Sequence, residues 1–130
     1  MTLESCALVL LGGFLGGIAR LFLAETIGRS IGETFPWGTL AVNVSGALAI
    51  GAFFGASRSV GGPFASELLR EFVVIGLLGG YTTVSSFSLQ TLNLALGGEA
   101  RQAAIYVAAS ASLCIAAVAI GYWSLIRIFA

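Results

Sequence analysis

Four apolar segments, each long enough to cross a bilayer as a helix, divide this chain of 130 residues. The hydrocarbon core of a membrane requires about 20 consecutive apolar residues of α-helix. The segments run from about Thr2 to Ile27, Trp37 to Ser57, Leu68 to Leu96 and Gln102 to Phe129. Only short polar or glycine-rich links remain between them. The pattern predicts one all-α domain, residues 1–130, made of four transmembrane helices.

The scarcity of charge supports this membrane fold. Charged residues make up 9% of the sequence, against about 25% in an ordinary soluble domain, and the mean hydropathy is +1.00. Too few charged side chains are present to cover a surface in water. The first segment carries Glu4 in place of a basic region and is longer than a signal peptide, so we expect it to stay as a helix.

The arginines are balanced across the predicted membrane. The chain has no lysine, and with four spans three arginines fall on each side: Arg58, Arg70 and Arg127 against Arg20, Arg29 and Arg101. Orientation follows an excess of Lys and Arg in short loops, and here there is none. We predict that the chain inserts in both orientations. A small bias hidden by the segment boundaries, which fixes one orientation, is the alternative.

The third segment is interrupted by the polar sequence GGYTTVSSFS, from Gly79 to Ser88. At membrane depth, non-helical backbone is tolerated only where it is buried in protein or lines a wet cavity. Carbonyl oxygens freed at Gly79 to Thr82 could coordinate a small cation, and N–H groups at the next helix start could face an anion. A glycine kink satisfied by neighbouring hydroxyls is the alternative. This stretch is the first candidate functional site.

Two polar residues in the first and second segments are further candidates. Arg20 could extend to the membrane interface, or it could give a water-filled vestibule a positive potential that attracts anions. Asn43 lies one helical turn beyond Thr39 on the same face. An unpaired amide in the membrane is costly, so Asn43 either joins helices or donates hydrogen bonds to a passing ion. The sequence leaves both pairs of alternatives open.

The composition argues against an enzyme. The sequence contains no histidine, no paired carboxylates within the spans and no nucleophile beside a base, so it lacks a catalytic set. Its glycine-rich stretches do not follow a strand, which excludes a phosphate-binding loop. We therefore expect no catalytic function.

Three motifs in successive segments resemble the Fluc (CrcB) family of fluoride channels. They read GGFLGGIAR, GTLAVNVSG and GGYTTVSSFS, and the resemblance extends over the whole chain in length, number of spans and charge balance. It implies a dual-topology, antiparallel homodimer in the bacterial inner membrane. Through two pores, fluoride would leave the cytoplasm down its electrochemical gradient. The lipid bilayer is the other expected partner, and no nucleic acid is expected.

The resemblance also assigns roles to individual residues. It implies a structural Na⁺ at the dimer centre, held by the backbone carbonyls of Gly79 and Thr82 from both chains. Asn43 matches the family's pore asparagine, and Arg20 matches its vestibule arginine. The other pore-lining candidates are hydroxyl, amide, aromatic and apolar residues: Thr39, Thr83, Val84, Ser86, Phe87, Gln90, Tyr106 and Ser110. Donor groups and ring edges of this kind can replace the water around a small anion.

Two positions depart from the family's usual third-segment pattern. Val84 stands where the family usually has the first of two phenylalanines, so only Phe87 offers a ring edge. Either the second ring is dispensable, or conduction is slower, or another aromatic such as Tyr81 replaces it. Gln90 stands where relatives often carry Glu, and a neutral amide should not repel fluoride.

Two other function classes remain. A small multidrug-type transporter would share four short helices and dual topology, but proton-coupled export needs a carboxylate inside the membrane. Glu4 lies at the very start of the first segment, and the other glutamates are placed in links or at helix ends. A scaffold protein would explain packing by small residues but not the broken third segment. The sequence therefore favours the fluoride channel.

Overall fold

The predicted membrane fold is confirmed. The computed structural model describes residues 2–32 and 34–129, and these residues form helices joined by short links, without a strand. Four helical segments are long and apolar enough to span a membrane. The third of them, Glu67–Leu96, is divided into several pieces. We call Glu67–Leu96 the third segment below.

The helical elements follow one another with few connecting residues. In chain order they are α1 Leu3–Ile31, α2 Trp37–Ser59, a 3-10 turn Gly62–Ala65, α3 Glu67–Arg70, a π-helical stretch Glu71–Leu78, α4 Gly79–Tyr81, α5 Val84–Leu96 and α6 Ala100–Phe129. α2 packs most extensively against α6, and α1 packs against the first half of the third segment. α5 lies against α6.

α1 is about one turn longer than predicted. The sequence pattern ended it near Ile27, whereas the helix continues to Ile31 and ends at Gly32, whose φ is +127°. In this added turn, Arg29 forms an ion pair with Glu25, one turn earlier, on the exposed surface. Such pairs support an exposed helix end. The glycine conformation at residue 32, which residues with a Cβ rarely adopt, therefore terminates the helix.

The break in the third segment was predicted near residues 79–82, and it lies at the C-terminal end of that range. Gly79 and Gly80 remain helical, and the backbone becomes extended at Thr82 and Thr83, with ψ of 156° and 123°. Before the break, the chain is π-helical over Glu71–Leu78. Nothing in the sequence of that stretch predicts a π-helix, a form that is rare and often found at functional sites.

Glycines bring α1 close to the third segment. A Cβ on Gly12 would lie 2.6 Å from the carbonyl oxygen of Phe72, and a Cβ on Gly80 would lie 2.5 Å from that of Gly13. Both distances are shorter than real Cβ contacts, so only glycine fits. In lipid, helices associate through such close backbone approach. Gly76 and Gly80 of the third segment therefore serve close packing against α1.

Close backbone contacts at glycines also join α2 to α6. A Cβ on Gly55 would lie 2.5 Å from the carbonyl oxygen of Tyr122, and one on Gly51 would overlap the carbonyl of Val118. The four-residue spacing of Gly51 and Gly55 places both on the α6 side of α2. Gly51 and Gly55 therefore allow the close approach of α2 and α6.

Large apolar side chains cover much of the outer surface. On α1 alone, the exposed ones include Leu10, Phe14, Leu21 and Phe22. Exposed apolar patches of this extent are uncommon on soluble monomers and mark contact with lipid or with another chain. The arrangement fits a protein surrounded by a bilayer.

Candidate functional site

Asn43 of α2 holds the break in the third segment through two hydrogen bonds. Its Nδ2 donates to the carbonyl oxygen of Thr83 at 2.9 Å, and the backbone N–H of Thr83 donates to Asn43 Oδ1 at 2.8 Å. The two residues are 40 positions apart in the chain. The break is thus stabilised by a neighbouring helix, and it is more than a kink satisfied by local hydroxyls.

The Thr83 side chain starts the helix that follows. Thr83 is buried, and its Oγ1 accepts a hydrogen bond from the backbone N–H of Ser86 at 3.2 Å. The same hydroxyl donates to Ser86 Oγ at 3.2 Å and lies 3.1 Å from Ser85 Oγ. A threonine in this position satisfies one of the free N–H groups of the first turn. The hydroxyl run therefore forms the N-terminal cap of α5.

Two hydrogen bonds at Thr83 leave two backbone carbonyl oxygens without their helical N–H donors: the bond from the Thr83 N–H to Asn43 and the bond from the Ser86 N–H to Thr83 Oγ1. In a continuous helix the carbonyl of residue i accepts from the N–H of residue i+4. The N–H four residues after Gly79 is that of Thr83, which donates to Asn43. The N–H four residues after Thr82 is that of Ser86, which donates to Thr83 Oγ1. Gly79 and Thr82 are the two residues whose carbonyls the family resemblance assigned to a Na⁺.

A cavity of about 970 Å³ lies beside the break. It is an open cavity bordered by the second half of α1, the start of α2 and α5. Its wall includes five of the predicted site residues: Arg20, Thr39, Thr83, Ser86 and Gln90. Arg20 is half-buried in this wall, which favours the vestibule interpretation over simple extension to the interface. The structure thus brings cationic, hydroxyl and amide groups from three helices to one cavity.

Tyr106 of α6 fixes Gln90 and packs against aromatic rings. It is completely buried, and its hydroxyl donates to Gln90 Oε1 at 2.9 Å. Its ring centroid lies 5.2 Å from that of Phe87 and 5.5 Å from that of Phe35, the latter edge-on. With its carbonyl engaged by Tyr106, Gln90 keeps its NH₂ group for the cavity. Tyr106 and Phe87 support this wall without lining the cavity.

Other predicted residues lie outside the cavity. Asn43 stands behind Thr83, and Ser110 is buried one turn beyond Tyr106 on α6. Val84 is 76% exposed on the outer surface of the chain. Tyr81, suggested as a substitute ring, has its hydroxyl 2.9 Å from Ser45 Oγ and does not line the cavity either.

Two buried polar atoms have no hydrogen-bond partner in the part of the chain that the structure describes, Ser110 Oγ and Glu71 Oε2. Glu71 corrects the assignment of the glutamates to links or helix ends: it is 6% exposed and begins the π-helical stretch. One signal for its burial was available in the sequence, its position about a turn inside the third apolar segment. Within residues 2–32 and 34–129 no three acidic, cysteine or histidine side chains cluster as metal ligands.

The cavity wall also contains residues that sequence reasoning missed. Phe35, Trp37 and Asn93 line it, and Glu25, Arg29 and Glu99 lie toward the end of α1 and the start of α6. Trp37 was predicted only as the start of α2. Its place in the wall depends on how the link after α1 folds, and local sequence does not specify that.

A comparison with known families identifies the chain. Residues 7–122 match the family described as CrcB-like protein, Camphor Resistance (CrcB). The chain belongs to the CrcB family. The matched range includes the whole cavity wall and the break, so the resemblance drawn from the three motifs is confirmed. CrcB membership also agrees with a multi-pass membrane protein that is not an enzyme.

Individual CrcB relatives are similar over nearly the full length. A protein of Brucella abortus named "Fluoride-specific ion channel FluC 4" is 57% identical over 122 residues, which cover 94% of this chain and 92% of the relative. "Fluoride-specific ion channel FluC 3" of Brucella suis is also 57% identical with the same coverage. "Fluoride-specific ion channel FluC 2" of Bradyrhizobium diazoefficiens is 48% identical and covers 94% and 89%.

Proposed function

We propose that this CrcB protein is a fluoride-selective channel of the bacterial inner membrane, through which fluoride leaves the cytoplasm passively. The observation that carries the proposal is the cavity beside the broken third segment. Hydroxyl and amide donors and Arg20 line it near the break, and Glu25, Arg29 and Glu99 line it toward the end of α1 and the start of α6. Relatives named as fluoride-specific ion channels match the chain over nearly its full length. Their names support fluoride as the ion.

The chemistry of the wall suits a small, strongly hydrated anion. A selective path must replace the water around fluoride with hydrogen-bond donors. Thr39, Ser86 and the free NH₂ of Gln90 provide such donors at the wall. Arg20 adds a positive potential that concentrates anions in a low-dielectric vestibule. Thr39, Ser86 and Gln90 carry no group that titrates near neutral pH, so these donors stay neutral across physiological pH.

We propose that two chains assemble as an antiparallel dimer and that each pore is completed at the contact. The exposed apolar faces need a cover of lipid or protein. Val84 is exposed on the outer surface, so it can line a path only where a second chain packs over it. Arg58, Arg70 and Arg127 lie at one end of the helices. Arg29 and Arg101 lie at the other end, and Arg20 shares a cavity wall with Arg29, which gives three arginines on each side. This balance supports insertion in both orientations.

A Na⁺ at the centre of that dimer would bind the carbonyl oxygens of Gly79 and Thr82. The residues fit this ion, because both carbonyls lack their helical N–H donors and Na⁺ prefers oxygen ligands in an unwound helix. When bound, the cation would supply a fixed positive charge between the two chains. The chain's own part is to keep the carbonyls of Gly79 and Thr82 free of helical N–H donors.

A flux assay tests the function. Purified protein in liposomes loaded with potassium fluoride should release fluoride to an electrode when valinomycin relieves the voltage, and liposomes loaded with potassium chloride should retain chloride. Phe87→Ala should reduce fluoride release, because its ring supports the wall through Tyr106. Leu89→Ala, at an exposed position on α5, is the matched control. Absence of fluoride release from the unmodified protein contradicts the proposal.

The multidrug-type alternative would depend on Glu71, whose carboxylate is buried inside the third segment. Proton-coupled uptake of ethidium into the same liposomes, abolished by Glu71→Gln, would favour that transporter. We expect no ethidium uptake from the unmodified protein.

A further inference from the structure

We infer that Asn43 is a positioning residue that keeps the third segment broken at Thr83. Its side-chain amide pairs with both backbone groups of Thr83, at 2.9 and 2.8 Å. This inference deepens the proposed function, because the conformation it explains is the one that frees the candidate cation ligands. The pairing itself is independent of what the protein conducts.

The bond from Thr83 to Asn43 competes directly with the helix. Without an acceptor on α2, the N–H of Thr83 would be left unpaired in a buried site, since Thr83 is 7% exposed. A buried N–H must find a partner, and the carbonyl of Gly79 is the helical one. Instead, Asn43 Oδ1 accepts the hydrogen bond from the Thr83 N–H at 2.8 Å. The asparagine thus prevents one helical hydrogen bond from closing across the break.

The second bond makes the arrangement specific to asparagine. Thr83 turns its carbonyl toward α2, and Asn43 Nδ2 donates to it. A planar amide presents one acceptor and a donor side by side, so it matches the N–H and C=O of a single residue. Aspartate would keep the acceptor but set a second oxygen against the Thr83 carbonyl. Alanine would remove both partners.

The amide also retains one N–H that these two bonds do not use, because an NH₂ group carries two donors. Loss of fluoride flux on mutation would therefore not separate a positioning role from contact with the ion. A readout of the backbone at the break does separate them. Amide hydrogen exchange reports the opening of individual segments.

The test is hydrogen–deuterium exchange on the purified full-length protein, followed in peptides that cover Gly79 to Ser88. Asn43→Ala removes both side-chain partners of the broken conformation, so the segment should interconvert between the broken and the closed helical arrangement. Its amides are unpaired during each interconversion, and exchange in these peptides should become about tenfold faster. Ser45→Ala is the matched control: it removes the side-chain contact of α2 with Tyr81 and should leave exchange at Thr83 unchanged. Asn43→Asp, which keeps one acceptor, should give an intermediate rate and guards against misfolding of the alanine variant.

A sodium titration extends the test to the freed carbonyls. Sodium chloride, compared with N-methyl-D-glucamine chloride, should slow exchange in these peptides of the unmodified protein, and Asn43→Ala should need about tenfold more sodium for the same protection. Unchanged exchange at the break in both Asn43 variants would overturn the inference. Absence of fluoride release from the unmodified protein would instead contradict the proposed function and leave the exchange result standing.

Discussion

The glycine contacts of α1 and the polar contacts at the break hold the same third segment by different means. Along α1, backbones touch directly and a Cβ has no room. At Thr83, the side-chain amide of Asn43 on α2 bonds to the backbone of the break. Close glycine packing tolerates no added atoms, whereas the polar contacts depend on donor and acceptor chemistry. The first region builds the scaffold, and the second builds the candidate path.

The largest expected effect is on the glycine contacts. A Cβ on Gly16 would overlap the carbonyl of Leu77, whereas one on Gly17 would meet nothing within 4 Å. Overpacking costs about 1–3 kcal/mol, so Gly16→Ala should lower thermal stability in detergent and the yield of monodisperse protein. Gly17→Ala, one residue away, should match the unmodified protein. Equal losses in both variants would contradict the assigned packing role.

Removal of the vestibule charge is expected to act on flux without loss of stability. Arg20→Gln should lower fluoride release by about tenfold at low ionic strength, because a charged vestibule raises the local anion concentration. The difference from the unmodified protein should shrink as inert salt is added. Arg127→Gln, on α6 at the opposite end of the bundle, is the control. A salt-independent deficit would instead indicate a structural role for Arg20.

A carboxylate at position 90 should make flux depend on pH. Gln90→Glu should reduce fluoride release about threefold at neutral pH, because an ionised carboxylate repels the anion and no longer offers NH₂ donors. Acidification protonates the introduced Glu, so release should recover as the pH falls, and the unmodified protein should show no such trend. Flux measured between pH 5 and pH 8, with Asn93→Asp as a second acid in the same wall, checks whether the effect belongs to position 90.

The smallest effect is expected at Val84. The side chain is exposed in the single chain, so Val84→Phe should leave stability unchanged. If a second chain covers this position, the added ring edge should raise fluoride release by about threefold. Leu92→Phe, also exposed on α5, controls for the added bulk. No change in flux from Val84→Phe would remove Val84 from the path.

Hydropathy predicted the four segments well, because a run of about 20 apolar residues has few alternatives in a membrane. The finer features depended on contacts that are distant in the sequence. The glycine pair was expected to begin the break, yet Gly80 is helical because it packs on Gly13 of α1. The true break is set by Asn43, 40 residues away.

The candidate site was likewise predictable in its residue types but not in the contacts between distant residues. Hydroxyl and amide residues of the motifs could be identified from residue type, and five predicted residues share the cavity wall. The hydrogen bond between Tyr106 and Gln90 joins different helices and has no local signal. Burial of Glu71 within a π-helical stretch was missed for a related reason, since apolar periodicity does not distinguish π from α geometry. The roles of Val84 and Ser110 stay predictions.

The most direct test of a fluoride-selective path is electrical. The protein would be reconstituted in a planar bilayer with sodium fluoride on one side and sodium chloride on the other, and the reversal potential would be measured. We predict a current carried by fluoride alone, with a reversal potential shifted far toward the equilibrium potential of fluoride. A reversal potential near zero, which would mean equal passage of chloride, or the absence of any current would contradict the account.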